Sequence, residues 1–188
     1  MSTDTYSIPF VAVILFIALS APFAQARGKI GAGAVFSMKE CGVSLIFPSG
    51  ERRAPEPSLD IVADLGGVLF SGATMCGGAV RFTDNFFFGG WSAGENDTYV
   101  AVYAGPGAMA GYVLDYPSDR FGPVAAFSVN VGIISFFKRF PMRVSVGFGA
   151  DLGIIFGKGK GGRGTVLKFY QNGVARAYYP EMKLVYAF

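Results

Sequence analysis

The sequence contains no histidine. This removes the side chain most used for general acid–base chemistry and for metal ligation. Cysteine is scarce, two residues in 188, too few for a scaffold built on disulfides. Charge is sparse as well: Asp, Glu, Lys and Arg make up 15% of the chain, against roughly 25% in an ordinary soluble domain. Long apolar runs are missing from most of the chain. No stretch beyond the N-terminal segment offers the roughly 18 uninterrupted apolar residues of a spanning helix. The best one, residues 124–137, is broken by Ser128, Asn130, Gly132 and Ser135.

What is present is apolar and rich in glycine. Hydrophobic residues reach 52%, mean hydropathy is +0.42, and there are 27 glycines. That balance excludes intrinsic disorder, which requires low hydrophobicity and high charge. Frequent glycine disfavours helix interiors.

Residues 8–19 form one apolar run, and Ala24-Gln25-Ala26 follows it. A short apolar stretch before an A-x-A site reads as a secretory signal. The segment before the run departs from that pattern, because it carries Asp4 and no base. An uncleaved anchor is the competing reading, but the run falls short of about 20 residues. The expected organisation is a signal peptide over 1–26, cleaved near Ala26/Arg27, and a single domain over 27–188. The mature chain then has 162 residues, with 16 bases against 12 acids.

Within that domain the apolar residues recur at period two. Met142, Val144, Val146, Phe148, Ala150, Leu152, Ile154 and Phe156 alternate with Arg143, Ser145, Gly147, Gly149, Asp151, Gly153, Ile155 and Gly157. Phe127, Val129, Val131 and Ile133 alternate with Ser128, Asn130 and Gly132, and similar alternation covers residues 59–70 and 181–188. Strict alternation marks a strand with two different faces. These strands run longer than the usual five or six residues. Their second face is small or glycine, which suits the narrow interior of a small barrel with lipid outside.

The pattern predicts an all-β fold, an antiparallel transmembrane up-and-down β-barrel of eight strands at 29–38, 59–70, 76–88, 97–105, 107–116, 121–136, 142–157 and 177–188. Residues 71–75, Pro106 and 137–141 read as short periplasmic turns. Residues 39–58, 89–96, 117–120 and 158–176 read as outer loops. Residues 43–47 could add a strand and bring the number to ten. Asp84 falls on the lipid face beside Val80 and Phe82, which requires either a place near the rim or another register.

The whole mature chain resembles the small bacterial outer-membrane β-barrels, among them the OmpW-like, OmpX-like and opacity-like families. The one specific motif is the ending Lys-Leu-Val-Tyr-Ala-Phe188. Met182, Leu184, Tyr186 and Phe188 at alternate positions look like the C-terminal signal that the barrel assembly machinery reads. The resemblance implies a bacterial outer-membrane location, contact with outer-membrane lipid and lipopolysaccharide, and no cofactor. OmpW-like proteins are associated with passage of small hydrophobic compounds, so such a solute is implied as well. Nothing points to a nucleic acid.

Two motifs that could carry chemistry read as structure. Gly90-Trp91-Ser92-Ala93-Gly94 matches G-x-S-x-G, but that elbow needs a following helix and a histidine. A glycine-rich loop with Trp91 at the outer interface is the simpler account. Gly105-Pro106-Gly107-Ala108-Met109-Ala110 fits G-x-G-x-x-A without the βαβ context, and reads as a tight turn. No enzyme is expected, and no metal site.

The polar residues on the small face are the expected lumen: Asp60, Asp64, Arg81, Asn130, Arg143, Asp151, Glu181 and Lys183. A register joining 157 to 177 pairs Asp151 with Lys183, and one joining 70 to 75 pairs Asp64 with Arg81. Such charges either form a structural plug or line a narrow path. Lys158, Lys160 and Arg163 form a glycine-rich basic outer loop that could touch anionic lipopolysaccharide. Cys41 and Cys76 fall at opposite ends of the barrel and are expected to stay unpaired. Three functions follow: a narrow passive channel, a non-conducting barrel whose outer loops make surface contacts, or a soluble periplasmic lipid-binding barrel with its apolar faces inward.

Overall fold

A strand that is apolar on one face and small or polar on the other must bury one face and leave an edge on each side to be paired. The chain meets both demands by closing on itself. The computed structural model describes residues 30–47, 55–72, 76–93, 98–115, 120–137, 140–158 and 165–188. Residues 1–26, the expected signal segment, lie outside the described residues.

The elements in chain order are β1 (Gly31–Phe36), β2 (Glu40–Ile46), β3 (Glu56–Asp64), a short helix α1 (Gly66–Ser71), β4 (Gly77–Ala93), β5 (Thr98–Asp115), β6 (Arg120–Phe137), β7 (Met142–Lys158), β8 (Thr165–Phe169), α2 (Gln171–Ala175) with a 3₁₀ turn (Arg176–Tyr178), and β9 (Glu181–Ala187). Every ladder is antiparallel. Neighbours pair in sequence from β1 to β7, and β9 pairs with both β7 and β1, which closes the barrel. β8 and β9 occupy one position beside β7, β8 against its last residues and β9 against its first. Nine strands therefore make a closed barrel of eight.

The register fixes the geometry. From Ser145 the pairs lead through Lys183, Val35, Gly42, Val62, Ala79, Gly111 and Val124 back to β7 at Ile155. The path returns ten residues further along the same strand. A shear of ten over eight strands implies a tilt of about 40° and a backbone radius of roughly 8 Å. Such a tube has room for side chains and little else.

Several expected boundaries move. Residues 97–105 and 107–116 are one strand, β5, and Pro106 lies within it opposite Val129. The β4–β5 ladder steps from Thr83↔Gly107 to Phe86↔Ala104. A proline without an N–H is tolerated where the ladder is interrupted. Residues 40–46, inside the expected outer loop 39–58, form β2, whose tight connection to β1 is held by bonds from the Lys39 and Glu40 amides to Ser37 Oγ. The alternation of 59–70 stops at Asp64, whose Oδ1 accepts the Gly66 amide at 2.9 Å and opens α1. The segment 177–188 becomes part of the helical insert and then β9.

These changes reverse part of the expected connectivity. Ile30 and Phe188 meet at one end, where the Phe188 amide donates to the Ile30 carbonyl. From the strand directions, β2–β3, β4–β5 and β6–β7 connect at that terminal end, and β1–β2, β3–β4, β5–β6 and β7–β8 at the distal end. The connections expected outside within 39–58 and 89–96 thus lie at the terminal end, and the one expected inside at 71–75 lies at the distal end.

Cys41 pairs with Ala63, and Cys76 immediately precedes the Gly77↔Asp64 pair. Both thiols sit at the distal end, not at opposite ends. They are free and exposed. One strand separates them, so two ladder spacings, about 10 Å, lie between the backbones, beyond the roughly 7 Å that a disulfide spans. Two thiols are expected to react with a thiol reagent in the folded, unreduced protein; a titre of zero would overturn this register.

Candidate functional site: the charged lumen

Inward positions on the strands carry the site. Asp60 and Asp64 come from β3, Arg81 from β4, Asn130 from β6, Asp151 from β7, and Glu181 and Lys183 from β9, and all seven are buried. Arg143 is inward but only partly covered, near the terminal end, and makes an ion pair with Glu56 at 2.5 Å. Four further charged participants come from segments without clear alternation: Lys39 and Glu40 at the β1–β2 connection, Glu56 at the start of β3, and Arg176 in the 3₁₀ turn.

Arg81 is the centre of the arrangement. Its Nη2 donates to both oxygens of Glu40, at 3.1 and 3.0 Å, and to Asp151 Oδ2 at 3.0 Å. Arg176 donates from Nη1 to Asp151 Oδ1 at 3.2 Å, and from Nη2 to Asn130 Oδ1 at 3.0 Å and Glu181 Oε2 at 2.6 Å. Lys183 donates to Asp60 Oδ2 at 2.5 Å and lies 3.5 Å from Glu181. Lys39 lies 3.6 Å from Glu40. Ser128 and Ser44 donate to Asp151 and Asp60. The connected group therefore holds four cations, Lys39, Arg81, Arg176 and Lys183, and four anions, Glu40, Asp60, Asp151 and Glu181. A charge-balanced, hydrogen-bonded cluster is the form in which ions persist away from water.

The expected partners are exchanged. Asp151 faces Arg81 and Arg176, and Lys183 reaches Asp60. Arg81 is opposite Asp60 in the ladder, whereas Asp64 is bonded by Asn172 Nδ2 at 3.0 Å. Two displacements are responsible: the break between β8 and β9 moves Lys183 opposite Ser145, not Asp151, and the end of β3 at Asp64, where α1 follows, sets Arg81 opposite Asp60 rather than Asp64.

Side chains of the described residues occupy the middle of the lumen, where Arg81, Asp151 and Arg176 are buried. A cavity of about 20 Å³ lies toward the terminal end beside Glu56, Asn85, Tyr103 and Lys183, room for about one water. Glycine makes the filling possible: a Cβ at Gly149 would fall 2.5 Å from both Arg176 Nη1 and Asn130 Oδ1.

The outer face is the reverse of the lumen. Phe127, Val129, Val131 and Ile133 on β6 are between 39% and 51% exposed. Aromatic residues collect toward both ends. Trp91 and Tyr99 lie near the terminal end, not the distal one, and Tyr112 packs edge-on against Phe121 near the distal end at 4.7 Å. Tyr99 and Tyr112 are thirteen residues apart on β5, roughly 30 Å along the axis at this tilt. Asp84 faces outward in the middle of β4, opposite Pro57, with Phe82 and Phe86 on the same face. It is neither at a rim nor in an altered register, and its Oδ1 has no hydrogen-bond partner among the described residues. Among the described residues no cluster of metal-ligating side chains occurs. Ser92 is in β4, with Tyr99 of β5 as its partner. Of the basic loop, Lys158 ends β7, while Lys160 and Arg163 lie outside the described residues.

The fold defines the chain as a closed, eight-position antiparallel β-barrel. It is similar in structure to the N-terminal β-barrel domain of Pseudomonas aeruginosa OprF, with a TM-score of 0.52 and 11% identity over 87% of this chain and all of that one. At that identity the likeness is one of fold. The sequence matches no protein-family model and no curated protein.

Proposed function

We propose that the chain is a small outer-membrane β-barrel whose lumen is closed in this conformation. The observation that carries the reading is the distribution of polarity: exposed apolar rows outside and a balanced ionic cluster inside. A soluble lipid-binding barrel would present the opposite faces. Belts of aromatic residues separated by roughly the thickness of a hydrocarbon core support the same reading. With the chain ends on the periplasmic side, α1 and the basic stretch Lys158, Lys160 and Arg163 belong to the outer side, where lipopolysaccharide phosphates are the matching partner. Met182, Leu184, Tyr186 and Phe188 are all exposed, as recognition of an apolar C-terminal row by the assembly machinery requires.

The filled lumen favours a non-conducting resting barrel over an open passive channel, and no apolar route through it supports a hydrophobic solute. The test is the detergent-folded full chain. Heat-modifiable migration on a gel, insertion into vesicles and near-zero conductance in planar bilayers are expected. A steady open pore in the unaltered protein would overturn the closed reading. Solubility in plain buffer with no gel shift would overturn the membrane reading.

A further inference from the structure

Residues 170–180 fill a place that half as many residues would span. The last β7–β8 pair is Ile154↔Phe169, and the first β7–β9 pair is Gly147↔Glu181. Six β7 residues, 148–153, lie between those pairs, against eleven residues on the facing segment. Five are surplus. An odd surplus also exchanges the faces: Lys168 is opposite the inward Ile155, whereas Glu181, Lys183 and Val185 are inward in β9. The eighth position is thus two half-strands in different registers, with the excess chain folded between them as α2 and the 3₁₀ turn.

The excess is turned into the lumen and held mainly by side chains. Asn172 receives Lys39 Nζ on its carbonyl at 2.9 Å, and donates its amide to Asp115 Oδ1 at 2.7 Å and its Nδ2 to Asp64 and to the Leu114 carbonyl. Arg176 is bound to Asn130, Asp151 and Glu181. The fit is incomplete. Asn172 Oδ1, Arg176 Nε and Arg81 Nη1 are buried without a hydrogen-bond partner among the described residues. Such groups are unfavourable inside and regain partners in water. Both plugging residues and the central guanidinium therefore carry a penalty that withdrawal of the insert relieves at its own two positions.

Withdrawal also alters the charge of the lumen. The cluster of four cations and four anions loses Arg176 and keeps three against four. We propose that residues 170–180 are a displaceable plug, and that the barrel with the plug withdrawn, left with one more anion than cations in its ion-paired group, conducts small cations in preference to anions. This rests on the membrane-barrel reading and adds a gated activity to it.

The test uses the full chain in planar bilayers. Deletion of residues 172–176 removes both plugging side chains and the surplus, and sets Gln171 outward and Ala177 inward opposite β7. Arg176→Gln keeps the insert and removes its charge. Both are expected to raise mean conductance at least tenfold over the unaltered protein, with K⁺ favoured over Cl⁻. Variants that fold and insert but conduct no more than the unaltered chain, or favour Cl⁻, would sink the proposal. Should neither variant fold, hydrogen exchange on the unaltered protein decides: amides 171–178 are expected to exchange together, at least a hundredfold faster than those of β6. Equal protection overturns the plug. Failure of the unaltered chain to insert at all overturns the membrane reading instead, and the two failures are distinguished by the gel shift.

Discussion

Arg81→Met is expected to destabilise the folded barrel by about 3–5 kcal/mol, the usual loss when one member of a buried ionic cluster is removed. The size follows from what is left behind. Arg81 is fully buried, and it bonds Glu40 of β2 and Asp151 of β7 from β4, so one guanidinium ties three separate strands. Methionine fills similar space and returns none of these bonds. Glu40 is left with Lys39 and Arg176 at 3.6 and 3.7 Å, beyond hydrogen-bond distance. The measurement is urea unfolding of vesicle-folded protein, read as a shift in midpoint at constant slope. Adding Glu40→Gln should recover part of the loss, since it neutralises the stranded carboxylate, whereas Asp151 keeps its bonds to Arg176 and Ser128. A shift equivalent to less than about 1 kcal/mol would mean that water, rather than Arg81, satisfies these carboxylates.

Gly33→Val is expected to prevent closure. A Cβ at Gly33 would land on the Leu184 carbonyl oxygen and lie 2.6 Å from Val185 Cα. Both obstacles are backbone, so no side-chain rotation makes room. The position is in the ladder between β1 and β9, whose six pairs join the first strand to the last. A chain that cannot form them keeps two open edges, which membrane barrels do not tolerate. The expected result is no heat-modifiable folded band. Gly78→Val is the matched control: the nearest atom to a Cβ there is the Val62 carbonyl oxygen at 3.8 Å, and this variant should fold. Equal folding of the two would show that the β1–β9 contact is looser than described.

The long strands were legible because their chemistry alternates without interruption. β6 and β7 fall within a residue of the limits that period two predicts, 121–136 and 142–157. Where punctuation residues and period disagreed, punctuation misled. Gly105-Pro106-Gly107 has turn composition, but tertiary pairing on both sides holds it extended. The connection Ser37-Met38-Lys39 contains neither glycine nor proline, so the β1–β2 hairpin lacked its usual turn signal, and β2 was legible only as a possible extra strand at 43–47 inside a supposed loop. In the lumen the strand-borne charges were readable by face. Their partners were not, because partnership depends on register: that of β9 is displaced by a surplus that no local pattern announces, and that of β3 with β4 by α1, which interrupts an alternation that continues in the sequence. Lys39, Glu40 and Arg176 were missed for the same reason. They sit where the backbone turns, and period two says nothing about where a turn aims its side chains.

The narrow tube has a consequence for how such a sequence can vary over time. Inward positions draw on one shared volume, so they cannot drift independently. Gly149 is bare because the Arg176 guanidinium and the Asn130 amide occupy the space its side chain would need. Among descendants of this chain, a side chain acquired at 149 is expected to accompany a shorter residue at 176 or 130. The exposed apolar rows of the outer face, limited only by being apolar, are expected to diverge freely beside them.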